Sequence, residues 1–300
     1  MGDEISVPLL LLTAYIWVII LGGLTGLVID LRKDAKSDCM LLQSWNLSWI
    51  DFGLGTWIFV VATILAAPSF AYYALELLDV PVDDLALSSL ISGAAFHGIA
   101  LLLIVLALKR RSTANMKLSP NRLRLPEILK TTALYYFSGI FLTLVFSKIW
   151  EVILTYLESL GLAPAVQPQD LVTIFAEGGF GLVSIGLMVL AVVIAPITEE
   201  LIFRAGIYRF FKGRFSARFA LITSSLLFAM MHMNTMSFLP LFLLGMLLCR
   251  SYERSGNILV PIGFHALFNA NNIFLLLFQA EVEPMLEDMA TGMLLMSNIW

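Results

Sequence analysis

Residues 187–204 read LMVLAVVIAPITEELIFR, an apolar run that ends in two adjacent glutamates, Glu199 and Glu200, with Arg204 four positions after the second. A carboxylate or arginine at bilayer depth costs roughly 2.5–3.5 kcal/mol even on lenient insertion scales, so chains keep such groups where they line a cavity or do chemistry. Two further apolar segments carry the same kind of exception, Phe228 with His232 and His265 with Asn269. The stretch therefore predicts a membrane helix that carries part of a site, and the rest of the chain is read outward from it.

Composition agrees. Of 300 residues 59% are hydrophobic and 13% charged, with a mean hydropathy of +0.90. A soluble domain would be about 25% charged. Runs of the length a helix needs to cross a bilayer fall near 8–29, 57–78, 87–108, 131–157, 171–198, 217–233, 238–251 and 258–280. The expectation is an all-α integral membrane protein with about eight transmembrane helices enclosing a polar catalytic chamber. It is read as one polytopic domain over 1–300, with helices of unassigned role in 1–170 and a motif-bearing core in 187–274. Residues 284–300 are apolar but carry Glu287 and Asp288, which suits an interfacial helix or a tail. Asp3 and Glu4 stand where a secretion signal would be basic, so the first run is expected to be retained as structure. Cys39 and Cys249 belong to no C-x-x-C or Cys/His cluster and decide nothing about compartment or metal.

Lys and Arg favour cytoplasmic loops, and here they cluster in alternate segments. They are Arg32, Lys33 and Lys36, then seven between Lys109 and Lys130, then Arg204, Arg209, Lys212 and Arg214, then Arg250 and Arg254. The intervening segments carry acids such as Asp79, Asp84 and Glu158. Eight spans with both termini outside satisfy this pattern, and they set Glu199, Glu200 and Arg204 at the cytoplasmic end of the fifth. His232 is threaded towards the outer end of the sixth, although a tilted or half-inserted pair of short helices would leave it near mid-membrane. The basic segments orient the protein and meet anionic headgroups, and they are not evidence for nucleic acid.

Helix geometry then sorts the polar residues. Neighbours point about 100° apart, whereas positions three or four apart share a face. Glu199 and Glu200 are thus expected to face different targets, Glu200 pairing with Arg204 at i,i+4 and Glu199 free towards a cavity. Phe228 with His232, and His265 with Asn269, each share a face. A carboxylate and an imidazole can share a water as general base, while a second imidazole and an amide can donate to a developing oxyanion, which suits amide hydrolysis. Phe228 reads as packing that shapes the pocket, His97 as a histidine hydrogen-bonded within the bundle, and Lys148 with Glu151 as a pair near a span end. Met230, Met231, Met233 and Met236 read as adaptable packing around His232.

The run 196–204, PITEELIFR, resembles the E-E-x-x-x-R motif of the CAAX prenyl endopeptidase and bacteriocin-processing (CPBP, or Abi) family. Residues 228–232, FAMMH, resemble its F-x-x-x-H motif and residues 265–269, HALFN, its H-x-x-x-N motif, in the same order. Residues 252–258, YERSGNI, look like the segment before the last motif in bacterial members. The resemblance implies a glutamic intramembrane endopeptidase of eight helices whose chamber opens to the cytosol. By motif position Glu199 and His232 would activate water and His265 with Asn269 would hold the oxyanion, with Glu200 and Arg204 in support. It covers roughly 187–274, and Ala205 departs from the glycine usual after the motif arginine.

The implied partners are the lipid bilayer and a prenylated or membrane-associated peptide or protein substrate, in a multi-pass protein of the cell membrane. No cofactor is expected. A zinc-dependent version of the same protease, with Glu199, His232 and His265 as ligands, lacks an H-E-x-x-H motif to support it. A non-proteolytic scaffold, a bacteriocin self-immunity protein or a transporter remains as the other class, although neither internal repeats nor broken helices in matching halves support a transporter.

Overall fold

The computed structural model describes residues 7–34, 42–45, 47–79, 84–110, 117–162, 174 and 181–297, with side chains at all of these except 7–10, 33–34, 110 and 279–297. The helices that bear on the site are α1 (Val7–Asp34), α2 (Trp49–Leu77), α3 (Leu85–Arg110), α4 (Leu125–Ser159), α5 (Leu182–Lys212), α6 (Ala217–Met231), α7 (Phe238–Ser255) and α8 (Leu259–Ser297). Among the described residues there is no strand.

Six of these, α1 to α5 and α8, are long and apolar enough to cross a membrane. The expected count of eight is not reached on that criterion. The 15 residues of α6 extend about 22 Å at 1.5 Å per residue, less than the roughly 30 Å hydrocarbon core. The 18 residues of α7 include Arg250, Glu253 and Arg254. These two pack on one another so closely that a Cβ on Gly245 would stand 3.0 Å from the Ser225 main chain. The exterior carries the inverse of a soluble pattern: Trp17, Leu21, Trp57, Leu65 and Val152 are exposed while Asp30, Glu200, Arg204 and His265 are buried.

The fifth span is displaced from its expected place. The helix runs over Leu182–Lys212, so Glu199 and Glu200 lie in its middle and not at its end. The charges do not terminate it because they are compensated inside the bundle. Of the expected segment 171–180, all but Ile174 lies outside the described residues. At the other end of the chain, the separate interfacial segment expected from 284 is instead a continuation of α8, one helix to Ser297.

Helix α4 is the post against which α1, α7 and α8 pack. Small residues let the backbones meet, as membrane helix contacts require: a Cβ on Gly23 of α1 would come within 2.2 Å of the Phe141 Cβ, and one on Gly139 of α4 within 2.5 Å of the Phe264 ring. Buried polar groups cross-link the same helices. Tyr135 of α4 donates to Asp30 of α1 at 2.8 Å, and Asp30 pairs with Arg250 of α7. Tyr15 and Tyr136 both donate to the Asn271 carbonyl oxygen on α8, at 2.6 and 2.8 Å.

The basic residues that suggested the topology also hold the connecting segments down. Arg209, fully buried, donates to the carbonyls of Gln43 at 2.9 Å and Lys117 at 2.8 Å. Lys212 reaches the Leu42 carbonyl and the Glu253 carboxylate, both at 2.6 Å, and Tyr208 donates to the same carboxylate at 2.7 Å. Lys148 and Glu151 pair at 2.7 Å as expected.

Candidate active site

The site starts from an irregularity in α5. Two of its turns, Leu190–Ile194 and Glu200–Tyr208, are π-helical, a widening that recurs at functional positions in helices. In the first of them the Ala195 N–H bonds to the Leu190 carbonyl. The next residue, Pro196, has no N–H to give. The Ala191 carbonyl is therefore left without a main-chain partner, and Asn269 of α8 takes it, its Nδ2 donating at 2.8 Å. A buried carbonyl left open costs about 1–3 kcal/mol, which the side-chain amide recovers. Asn269 shares a face with His265, as its i,i+4 spacing predicts, and one of its two amide hydrogens is committed to α5.

Glu200 and Arg204 form the expected i,i+4 ion pair at 3.1 Å, both fully buried. Arg204 also donates to the Gly245 carbonyl of α7 at 3.3 Å and lies over the Phe228 ring at 4.3 Å. The expectation that Glu199 and Glu200 must serve different targets is corrected by His265. Its Nδ1 donates to Glu200 Oε1 at 2.9 Å, and its Nε2 stands 3.8 Å from Glu199 Oε2. Two side chains about 100° apart on a helix cannot point the same way, but a ring set between them meets each with a different nitrogen.

Phe228 is a hub as well as packing. Fully buried, it meets the His232 ring at 4.9 Å, the His265 ring at 5.6 Å and the Phe203 ring at 5.4 Å, each near edge-on. His232 is the residue that closes α6, and its Nδ1 lies 2.8 Å from the Phe228 carbonyl. A carbonyl only accepts, so this nitrogen carries a proton, and in the neutral ring Nε2 keeps its lone pair. His232 and His265 thus meet the same Phe228 ring. Three of the four methionines near this imidazole, Met230, Met231 and Met233, are exposed.

Glu199 Oε2, buried and without a hydrogen-bond partner among the described residues, faces His265 Nε2 across 3.8 Å. Glu199 retains partial exposure at 20%, so a reacting molecule can reach this carboxylate but not Glu200. Among the described residues no group of three or more His, Cys, Asp and Glu side chains is spaced to hold a metal ion.

His97 corrects another expectation. Its Nδ1 is buried and has no hydrogen-bond partner among the described residues. Sequence reasoning also passed over Pro196 and Gly245, whose contributions are a missing N–H and a main-chain carbonyl. Of the two, only the proline left a trace, as an interruption of an apolar helical run.

Residues 181–271 match the family described as Type II CAAX prenyl endopeptidase Rce1-like. The matched segment contains Glu199, Glu200, Arg204, Phe228, His232, His265 and Asn269. Comparison with curated proteins and with solved structures gave no match.

Proposed function

We propose that this chain is an intramembrane endopeptidase of the CAAX-protease type, hydrolysing a peptide bond in a prenylated or membrane-associated substrate. The observation that carries the reading is the His265 ring set between the buried Glu200 carboxylate and the partly exposed Glu199 carboxylate, inside a segment that matches a prenyl endopeptidase family. Glu199 and the unprotonated Nε2 of His232 share the attacking water. As its oxygen bonds to the scissile carbonyl carbon, the water proton passes to Glu199. The carbonyl oxygen becomes an oxyanion and takes hydrogen bonds from His265 Nε2–H and from the second amide hydrogen of Asn269. The proton on Glu199 then goes to the leaving nitrogen as the C–N bond breaks, giving a carboxylic acid and an amine. Glu200 and Arg204 hold His265 from behind. The alternation of basic segments along the sequence supports a site that opens to the cytoplasm of a cell membrane with both termini outside. The reading uses no metal.

The test is cleavage of quenched-fluorescent peptides, with and without a C-terminal farnesyl-cysteine, by the purified protein and by E199Q, H232A and H265A variants of matched fold, each with and without chelator. Turnover that is lost in all three variants, is indifferent to chelator and requires the farnesyl group supports the proposal. Loss on chelation with recovery on adding zinc replaces it with the zinc-dependent version. A wild type that cleaves none of the peptides, prenylated or not, counts against the enzyme and for a binding scaffold.

A further inference from the structure

Helix α3 lies along α5 in a repeating contact. A Cβ on Gly186 would stand 2.9 Å from Leu90 Cδ2, and one on Gly93 would stand 2.4 Å from Leu190 Cδ2. The contact line climbs both helices in the same direction. One turn beyond Gly93 on the same face comes His97, and α3 there packs on the segment Ala195–Glu199 of α5. Phe96 holds the imidazole edge-on at 5.1 Å. No other residue of the α3 interior between Leu85 and Leu108 is ionisable.

Among the buried polar atoms of this region that lack a hydrogen-bond partner among the described residues are His97 Nδ1 on α3 and, on α5, Glu199 Oε2, Glu200 Oε2 and Arg204 Nε and Nη1. Glu199 closes the segment of α5 against which α3 packs. Each open atom costs about 1–3 kcal/mol, and one hydrogen bond from His97 Nδ1 to Glu199 Oε2, direct or through a shared water, relieves both of these. We propose that His97 is a positioning residue for Glu199, its Nδ1–H donating to Oε2 so that the carboxylate stays apart from His265 and its other oxygen, Oε1, is turned to the attacking water. The other ionisable groups of the site are Glu200 and Arg204 on Glu199's own helix, His265 on α8 and His232 on α6. Arg204 pairs with Glu200, His265 Nδ1 donates to Glu200 and His232 Nδ1 is spent on Phe228. Of the three imidazoles, His97 is the one whose Nδ1 is without a partner among the described residues. The role rests on the proteolytic reading, but the contact does not.

The experiment uses the full chain in lipid nanodiscs and compares H97N with H97Q. An asparagine amide nitrogen overlays Nδ1 of the imidazole and a glutamine nitrogen overlays Nε2, so both are polar and of near-native bulk while only one donates from the required place. With a quenched-fluorescent peptide ending in a farnesyl-cysteine motif, kcat in H97Q is expected to fall tenfold to a hundredfold, about the worth of one hydrogen bond to a charged group. KM stays within twofold, and H97N recovers kcat to within threefold of wild type. In parallel, the infrared carboxyl band of Glu199, assigned as wild type minus E199Q, shifts in H97Q and returns in H97N. An unmoved band in H97Q overturns the contact whatever the turnover. A moved band with unchanged kcat overturns the positioning role. A moved band in a protein whose wild type cleaves nothing upholds the contact and removes the protease reading instead.

Discussion

Removing Arg204 probes the centre of the site most directly. The side chain is fully buried and makes an ion pair to Glu200 at 3.1 Å, a hydrogen bond to Gly245 at 3.3 Å and a cation–π contact with Phe228 at 4.3 Å. Replacement by methionine keeps much of the volume and deletes all three, leaving Glu200 with the His265 ring as its remaining partner. Breaking a buried pair from one side costs about 3–5 kcal/mol. Replacing both ends, E200M with R204M, removes the uncompensated charge and leaves only the His265 Nδ1 donor open, at about 1–3 kcal/mol. The double variant is therefore expected to be roughly 2 kcal/mol more stable than R204M alone, about thirtyfold in the folding equilibrium. Unfolding by sodium dodecyl sulfate in mixed micelles, followed in parallel by circular dichroism and tryptophan fluorescence, measures this. The reasoning fails if R204M loses less than 1 kcal/mol, or if the double variant is no more stable than R204M.

Four further outcomes are expected. Asn269→Ala costs about 1–3 kcal/mol in the native background but clearly less in Pro196→Ala, where the main chain regains an N–H. A double-mutant cycle on unfolding midpoints reads the difference. Phe228→Ala, which empties the hub touched by two histidines and an arginine, lowers stability by about 3–5 kcal/mol and abolishes cleavage in the peptide assay. Gly139→Ala forces the Phe264 ring aside next to His265, costing about 1–3 kcal/mol and lowering kcat more than it raises KM. Gly256 closes α7 with φ at +61°, so Gly256→Ala loses about 1–2 kcal/mol while Gly256→Asn loses less, by thermal unfolding of the purified chain.

How far the sequence speaks depends on which interaction is asked about. The helical membrane class was legible because lipid-facing side chains such as Trp17 and Val152 must be apolar whatever they touch. The i,i+4 pairs Glu200 with Arg204 and Phe228 with His232 were legible because helix geometry fixes them locally, and both are found as expected. What escaped depends on a partner from elsewhere in the chain. Glu199 and Glu200 were assigned to different targets because one-helix geometry knows nothing of a ring arriving from α8. The fifth span was misplaced because a charge compensated by a distant helix looks, in sequence, like the end of a span. Asp30 is the same case: nothing at that position announces Tyr135 and Arg250.

The carbonyl that Pro196 leaves open also fixes how far α5 and α8 may slide. It is a notch at a single level of one helix, and Asn269 is a short tooth at a single level of the other. A slip of one residue moves the tooth by about 1.5 Å along the axis and 100° around it, beyond the reach of a two-carbon side chain. Glutamate and arginine are longer and would follow such a slip, so the ionic contacts tolerate misalignment that the amide does not. Axial registry is thereby set by an uncharged clip that is indifferent to protonation. The helix that carries the two carboxylates and the helix that carries the imidazole between them keep their place whatever the charge on those groups.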